Sequence, residues 1–106
     1  MSRVNIKALE KRLGGLSKEL CRLKAGGICA KCGNYGIEAH HVLSCNYKRW
    51  RWSQENLVWV CRNCHREEHD YEPTITNELD RSYKIWSYPE LQELEKSIKQ
   101  QINELK

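Results

Sequence analysis

The chain lacks any run of apolar residues long enough to cross a bilayer, which excludes a helical membrane span. Its first residues, Met1-Ser2-Arg3-Val4-Asn5, lack the apolar stretch and small-residue cleavage site of a secretory signal, so the expected compartment is the cytoplasm. Low-complexity segments are missing, as is any internal repeat beyond a duplicated Cys-x-x-Cys. Apolar material is modest too: 106 residues, 40% hydrophobic and 30% charged, make one domain with a small core. A domain of this size ordinarily needs a staple. Six cysteines are present, four of them in two Cys-x-x-Cys pairs, and without a secretory signal that pattern favours metal binding over a disulfide scaffold.

The net charge of +4 is mild, but its distribution is uneven. Residues 1–24 carry seven Lys/Arg against two acids, residues 46–66 carry five against one, and residues 67–106 carry five against ten. The basic end of the chain includes Lys48, Arg49 and Arg51 interleaved with Tyr47, Trp50 and Trp52. Such a face suits a phosphate backbone, since each neutralised phosphate releases counterions; a solvated basic surface is the plain alternative.

Apolar residues at Ile6, Leu9, Leu13, Leu16, Leu20 and Leu23 recur in steps of three and four, which predicts an amphipathic helix within residues 1–27. Gly14-Gly15 lies inside it at a cost of roughly 1 kcal/mol per glycine relative to alanine, so a kink or break is expected there. Gly26-Gly27 ends it. Residues 28–71 form the predicted core: a knuckle at Cys29-Ala30-Lys31-Cys32-Gly33, short strands over Ile37 to Val42 and Leu57 to Val60, a loop of about a dozen residues between them, and a helix from Arg62 to Tyr71. Residues 72–86 read as a connector with a turn of helix near Asn77 to Arg81. Residues 87–106 form a second amphipathic helix, opened by the capping box Ser87-Tyr88-Pro89-Glu90 and striped by Leu91, Leu94, Ile98, Ile102 and Leu105. Mutual core packing is the preferred reading of the two stripes, with pairing across a homodimer as the other.

Cys29, Cys32, Cys61 and Cys64 supply four thiolates, the closed tetrahedral shell of a structural zinc site. Cys21 lies beside the apolar stripe of the first helix and is expected in the core; Cys45 falls in the loop without an assignment. All four histidines lie between residues 40 and 69. A pair at the end of a strand, with His65 and His69 one helical turn apart, suits a divalent ion held by imidazoles with one histidine left free.

The string Ala39-His40-His41-Val42, then Glu55-Asn56-Leu57-Val58-Trp59-Val60-Cys61-Arg62-Asn63-Cys64-His65, then His69, resembles the HNH endonucleases of the ββα-metal class over roughly residues 29–69. The resemblance implies a small α+β fold: a hairpin and helix around one catalytic cation, in a treble-clef-like core held by zinc and flanked by the two amphipathic helices. It further implies His41 as general base, Asn56 as the residue that braces the loop and orients the base, and His40 and His65 as ligands of the catalytic cation. His69 matches the additional histidine of the colicin-like branch; in many zinc-framed members that position is not a ligand. The flanking helices and the loop are similar to phage recombination endonucleases of the Rap (NinG) type, which act on branched DNA.

Phosphodiester hydrolysis needs a base near neutrality and positive charge at the phosphate, and a histidine beside an open-sided cation meets both needs. The expected cofactors are therefore a structural Zn²⁺ and a catalytic divalent cation, Mg²⁺ or Mn²⁺, with Ni²⁺ or Zn²⁺ also suited to imidazoles. The expected partner is duplex or branched DNA, held by Lys48, Arg49, Arg51 and Arg66, with Trp50 or Trp52 stacking on a distorted base. For a phage-encoded chain the compartment is the host cytoplasm. Two other classes compete: a non-catalytic, zinc-stabilised nucleic-acid-binding module, and an interaction protein built on the leucine-striped helices.

Overall fold

Asn5 opens the first helix, α1 (Ile6–Ala25), by accepting the Ala8 N–H on its side-chain oxygen at 3.0 Å. The computed structural model describes residues 5–70, 73–76 and 78–106. α1 runs unbroken through Gly14-Gly15, so the expected kink is absent. It stops at Gly26, whose left-handed φ of 64° turns the chain while the Gly27 N–H reaches back to the Arg22 carbonyl at 3.0 Å. The apolar stripe explains its position: Leu9, Leu13 and Leu20 are buried against Leu91, Ile98 and Ile102 of the last helix, with Trp52 in the same cluster. The two leucine stripes thus cover one another within the chain.

The strands β1 (Glu38–His41) and β2 (Leu57–Val60) pair antiparallel, with Glu38 opposite Val60, His40 opposite Val58 and His41 opposite Leu57. Two strands alone are marginal in water. Here they are held by α1, where Cys21 packs with Leu57 and Trp59, and by the cysteine knuckles, where Cys29 and Cys64 pack around a fully buried Val60. Cys21 is in the core, as expected.

β2 leads directly into α2 (Arg62–Asp70). The expected extension of this helix to Tyr71 lies outside the described residues. The connector holds no helix among its described residues, and Glu78 to Arg81 are irregular, contrary to the expected helical turn; Asn77 lies outside the description. Asp80 uses its side chain to accept the Ser82 N–H at 2.9 Å, a local turn that competes with helix, and its carbonyl accepts the Trp50 indole N–H. The last helix, α3 (Tyr88–Leu105), begins at Ser87 with the capping box complete on both sides and Pro89 in its first turn.

The loop between the strands is not featureless. It ends in a short 3₁₀ turn over Gln54–Asn56, which the sequence pattern did not reveal. Among the described residues the fold is a small α+β arrangement of three α-helices and one two-stranded antiparallel sheet. Among the described residues no helix is long and apolar enough to cross a membrane.

Candidate metal and catalytic centres

The first knuckle turns at Gly33, whose φ of 80° lets its N–H return to the Cys29 carbonyl at 3.0 Å. That turn aims Cys29 and Cys32 at the second pair, Cys61 and Cys64, which flank the start of α2. The four sulfurs lie within 4.8 Å of one another, and Cys32 Sγ is 3.7 Å from Cys61 Sγ. A tetrahedral zinc with Zn–S bonds of about 2.3 Å places its sulfurs about 3.8 Å apart, so the four cysteines fit the ion. Burial pushes the Cys29 thiol up, but the backbone N–H groups of Cys32, Cys61 and Lys31 outweigh it and hold the group at about 6. Cys64 is pushed up by burial and by the sulfurs of Cys61, Cys32 and Cys29. Four sulfurs gathered in this way could hold a cation between them, and a bound cation would favour the thiolate form of each.

A second cluster lies on the other side of α2's first turn. Alternation along β1 puts Glu38 and His40 on one face and Ala39 and His41 on the other. His40 meets His65 and His69, which the helix places one above the other; ring centroids are 5.1, 4.9 and 4.5 Å apart. Their ligand nitrogens lie within 4.8 Å of one another, and His65 Nε2 is 2.8 Å from His69 Nε2. Those two nitrogens face each other at hydrogen-bond distance, while the buried His40 Nδ1 has no hydrogen-bond partner among the described residues, and a cation placed among the three rings could take a lone pair from each. Burial, and then the neighbouring His65 and His69, lower the His40 pKa to about 4, so the ring stays neutral as a ligand must. Glu38 accepts from His65 Nδ1, which fixes the proton there and leaves Nε2 as the donor nitrogen.

His41 faces the opposite way, toward α1. Its Nε2 lies 2.9 Å from the Arg51 carbonyl oxygen. A carbonyl can only accept, so Nε2 carries the proton and the neutral ring keeps its basic lone pair on Nδ1. Burial lowers the His41 pKa, opposed by this hydrogen bond and reinforced by the charges of Lys18 and Arg51. The carbonyl that precedes that of Arg51 in the chain, Trp50's, is held in place. Asn56 is fully buried, accepts the Leu43 N–H at 2.6 Å, and donates to the carbonyls of Leu43 at 3.1 Å and Trp50 at 3.2 Å. One amide therefore ties both ends of the loop together immediately beside the carbonyl that orients His41.

The basic residues of the loop fall into two groups. Lys48 is exposed, as is Arg66 on α2. Arg51 is engaged inside the chain: its guanidinium pairs with Glu10 at 3.2 Å and donates to the Cys45 carbonyl at 2.6 Å, so it is the backbone of this residue that faces His41. Arg49 donates to the Ser82 carbonyl at 3.4 Å. The expectation that Trp52 stacks on a base is corrected: it is 3% exposed, packed in the main core and set edge-on to Trp86. Trp50 is half-buried, with its indole N–H committed to Asp80. Large aromatic surfaces are in short supply here, and the core takes Trp52. Cys45 is exposed and lines the same groove as His41.

Three participants were missed in the sequence. Glu38 had a signal, two residues before His40 and so on the same strand face. The Arg51 carbonyl had none, because backbone groups leave no trace in a residue pattern. Glu68 is a 4% exposed carboxylate that accepts from the Ile75 N–H at 2.9 Å, from Thr74 and from Lys31. Burial raises its pKa, but those donors prevail and lower it to about 2. It tethers the connector to α2 and to the first knuckle.

Compared with protein-family models, with curated proteins and with solved structures, the chain has no match. The class these observations define is a small α+β domain carrying a four-cysteine set compatible with zinc and a separate three-histidine set.

Proposed function

We propose that the chain is a metal-dependent DNA endonuclease of the HNH type, a zinc-framed ββα-metal unit in a treble-clef-like setting, which hydrolyses phosphodiester bonds. One arrangement carries this reading: a histidine oriented through a backbone carbonyl, with a buried asparagine bracing that carbonyl's loop, next to three imidazoles that converge. Zinc belongs at the four cysteines. His40, His65 and His69 would hold a divalent cation, which would supply positive charge for the scissile phosphate and the departing 3′ oxygen.

The rest falls to the chain. His41 takes the proton of the attacking water at Nδ1, while its Nε2–H remains on the Arg51 carbonyl, which stabilises the imidazolium that forms. Asn56 acts one residue away, holding the Trp50 carbonyl and through it the loop that carries Arg51, so the ring does not have to find its orientation in each turnover. Glu38 holds His65 with its ligand nitrogen outward. Lys48 and Arg66 are exposed cations that add attraction for the DNA backbone.

The test is a panel of linear duplex, nicked circle, four-way junction and single strand, incubated with Mg²⁺, Mn²⁺, Ni²⁺ or Zn²⁺. Cleavage that requires an added ion is expected, and preference for the junction would place the chain near the recombination endonucleases. His41→Ala should lower cleavage on the order of 10²- to 10⁴-fold while leaving zinc content and DNA binding near the parent's. A parent chain that binds DNA but cuts none of the four with any ion would instead be a zinc-stabilised binding module.

A further inference from the structure

Two lysines of α1 stand over the groove that His41 lines. This groove, about 480 Å³, has His41, Cys45 and Arg51 on one side and Lys11, Gly14 and Lys18 on the other. The three α1 residues are spaced i, i+3 and i+7, which puts them on one helical face. Lys18 also borders the neighbouring cleft, where it meets Glu38 and His65, so it stands between the His41 groove and the histidine cluster. Both lysines are exposed, and neither forms an ion pair with a described residue, whereas Arg12, Lys31, Arg51 and Lys84 all do. The one acid of the groove, Glu10, is already paired with Arg51.

Gly14 is the second observation. A glycine in mid-helix weakens the helix, and packing does not call for it here: a Cβ at this position would meet nothing within 4 Å. What a side chain would fill is the groove itself, between the two lysines. The glycine leaves the α1 wall low where something has to pass.

We propose that α1 forms the second wall of the DNA-binding groove, with Lys18 on the phosphate presented to His41, Lys11 on another phosphate of the same strand, and Gly14 as the gap through which the strand runs. Seven helical residues span about 10.5 Å, about the axial rise of three base pairs of B-form DNA, so both lysines can reach phosphates of one strand at once. This rests on the nuclease reading and extends it. It gives the N-terminal helix a substrate-positioning role in addition to its part in the core.

Fluorescence anisotropy of a labelled duplex oligonucleotide, titrated with the zinc-loaded chain without a second cation over a range of salt, tests the proposal apart from turnover. Lys11→Gln with Lys18→Gln should weaken binding and flatten the salt dependence by about 1.8 in log–log slope, roughly 0.9 for each phosphate that is no longer neutralised. Gly14→Leu should melt no lower than the parent yet bind DNA more weakly. Lys96→Gln with Lys99→Gln, which removes the same charge from α3, should keep the parent's slope. If the parent binds and cuts DNA but the α1 variants keep its slope, or the α3 pair lowers the slope equally, the α1 wall is overturned and the nuclease reading stands. A parent that neither binds nor cuts DNA overturns both.

Discussion

Asn56 holds together more of the site than any other single side chain. Its amide is fully buried and serves three backbone groups of the loop, so truncation leaves the Leu43 N–H without its acceptor inside the protein. Asn56→Ala should destabilise the fold by roughly 2–3 kcal/mol, read from urea unfolding, since an orphaned buried donor costs about 1–3 kcal/mol and two carbonyls also lose a partner. It should also lower cleavage more than the lost stability explains, because the Arg51 carbonyl is freed to move. Glu38 makes a different demand. Glu38→Ala removes the acceptor that fixes His65, and should weaken Mn²⁺ or Co²⁺ binding at the histidines by about 10- to 100-fold with zinc content unchanged. Equal ion affinity in parent and variant would show that Glu38 does not orient the ligand.

At the scale of elements, α3 shows how a capping box becomes sensitive to acid. The Lys84 ammonium beside Glu90, and then the Ser87 N–H and hydroxyl, lower the Glu90 pKa from 4.5 to about 2. A carboxylate lowered on folding stabilises the helix above its ordinary pKa and loses that contribution as it protonates. The difference in urea midpoint between the parent and Glu90→Gln should therefore be full above about pH 4.5 and close as the pH falls toward 2. A gap that does not change with pH would assign the effect to hydrogen-bond geometry alone. This cap was legible in the sequence, as were both helical stripes, both strands and the cysteine spacing, because each is a local pattern of side chains. That three of the four histidines could share an ion was legible in their clustering, whereas the choice of His40 rather than His41 from the strand pair came through the family resemblance, since β1 and α2 are brought together by tertiary packing. The Arg51 carbonyl was not legible, and the sequence left open whether Trp52 belongs to the core or to a binding face. Each depends on which loop face turns inward, and no spacing along the chain encodes that.

For the molecule as a whole, a zinc at the four cysteines would tie the chain ahead of β1 to the start of α2 and so close the hairpin from outside its loop. Removal of zinc by a chelator, or a quadruple Cys→Ser variant, should abolish cooperative unfolding of the β1–β2–α2 unit, seen as loss of dispersed amide signals from Glu38 to Asp70. A quadruple variant that melts like the parent would overturn the structural role. Cys64 and His65 are neighbours on one turn of α2, so the two metal sets share a single peptide bond and a single helix. On the proposed reading, filling them would not be a matter of two independent equilibria: zinc at the thiolates would organise the helix that presents the imidazoles, so that the second ion would find its receptor shaped only after the first has arrived. Calorimetric titration of the metal-free chain should give one strong zinc event before any Mn²⁺ heat appears, and Mn²⁺ added first should give none. On the proposed nuclease reading, a cell short of zinc would hold this chain unable to cut however much of the working ion it contained, so that one nutrient would act as the permit for the other.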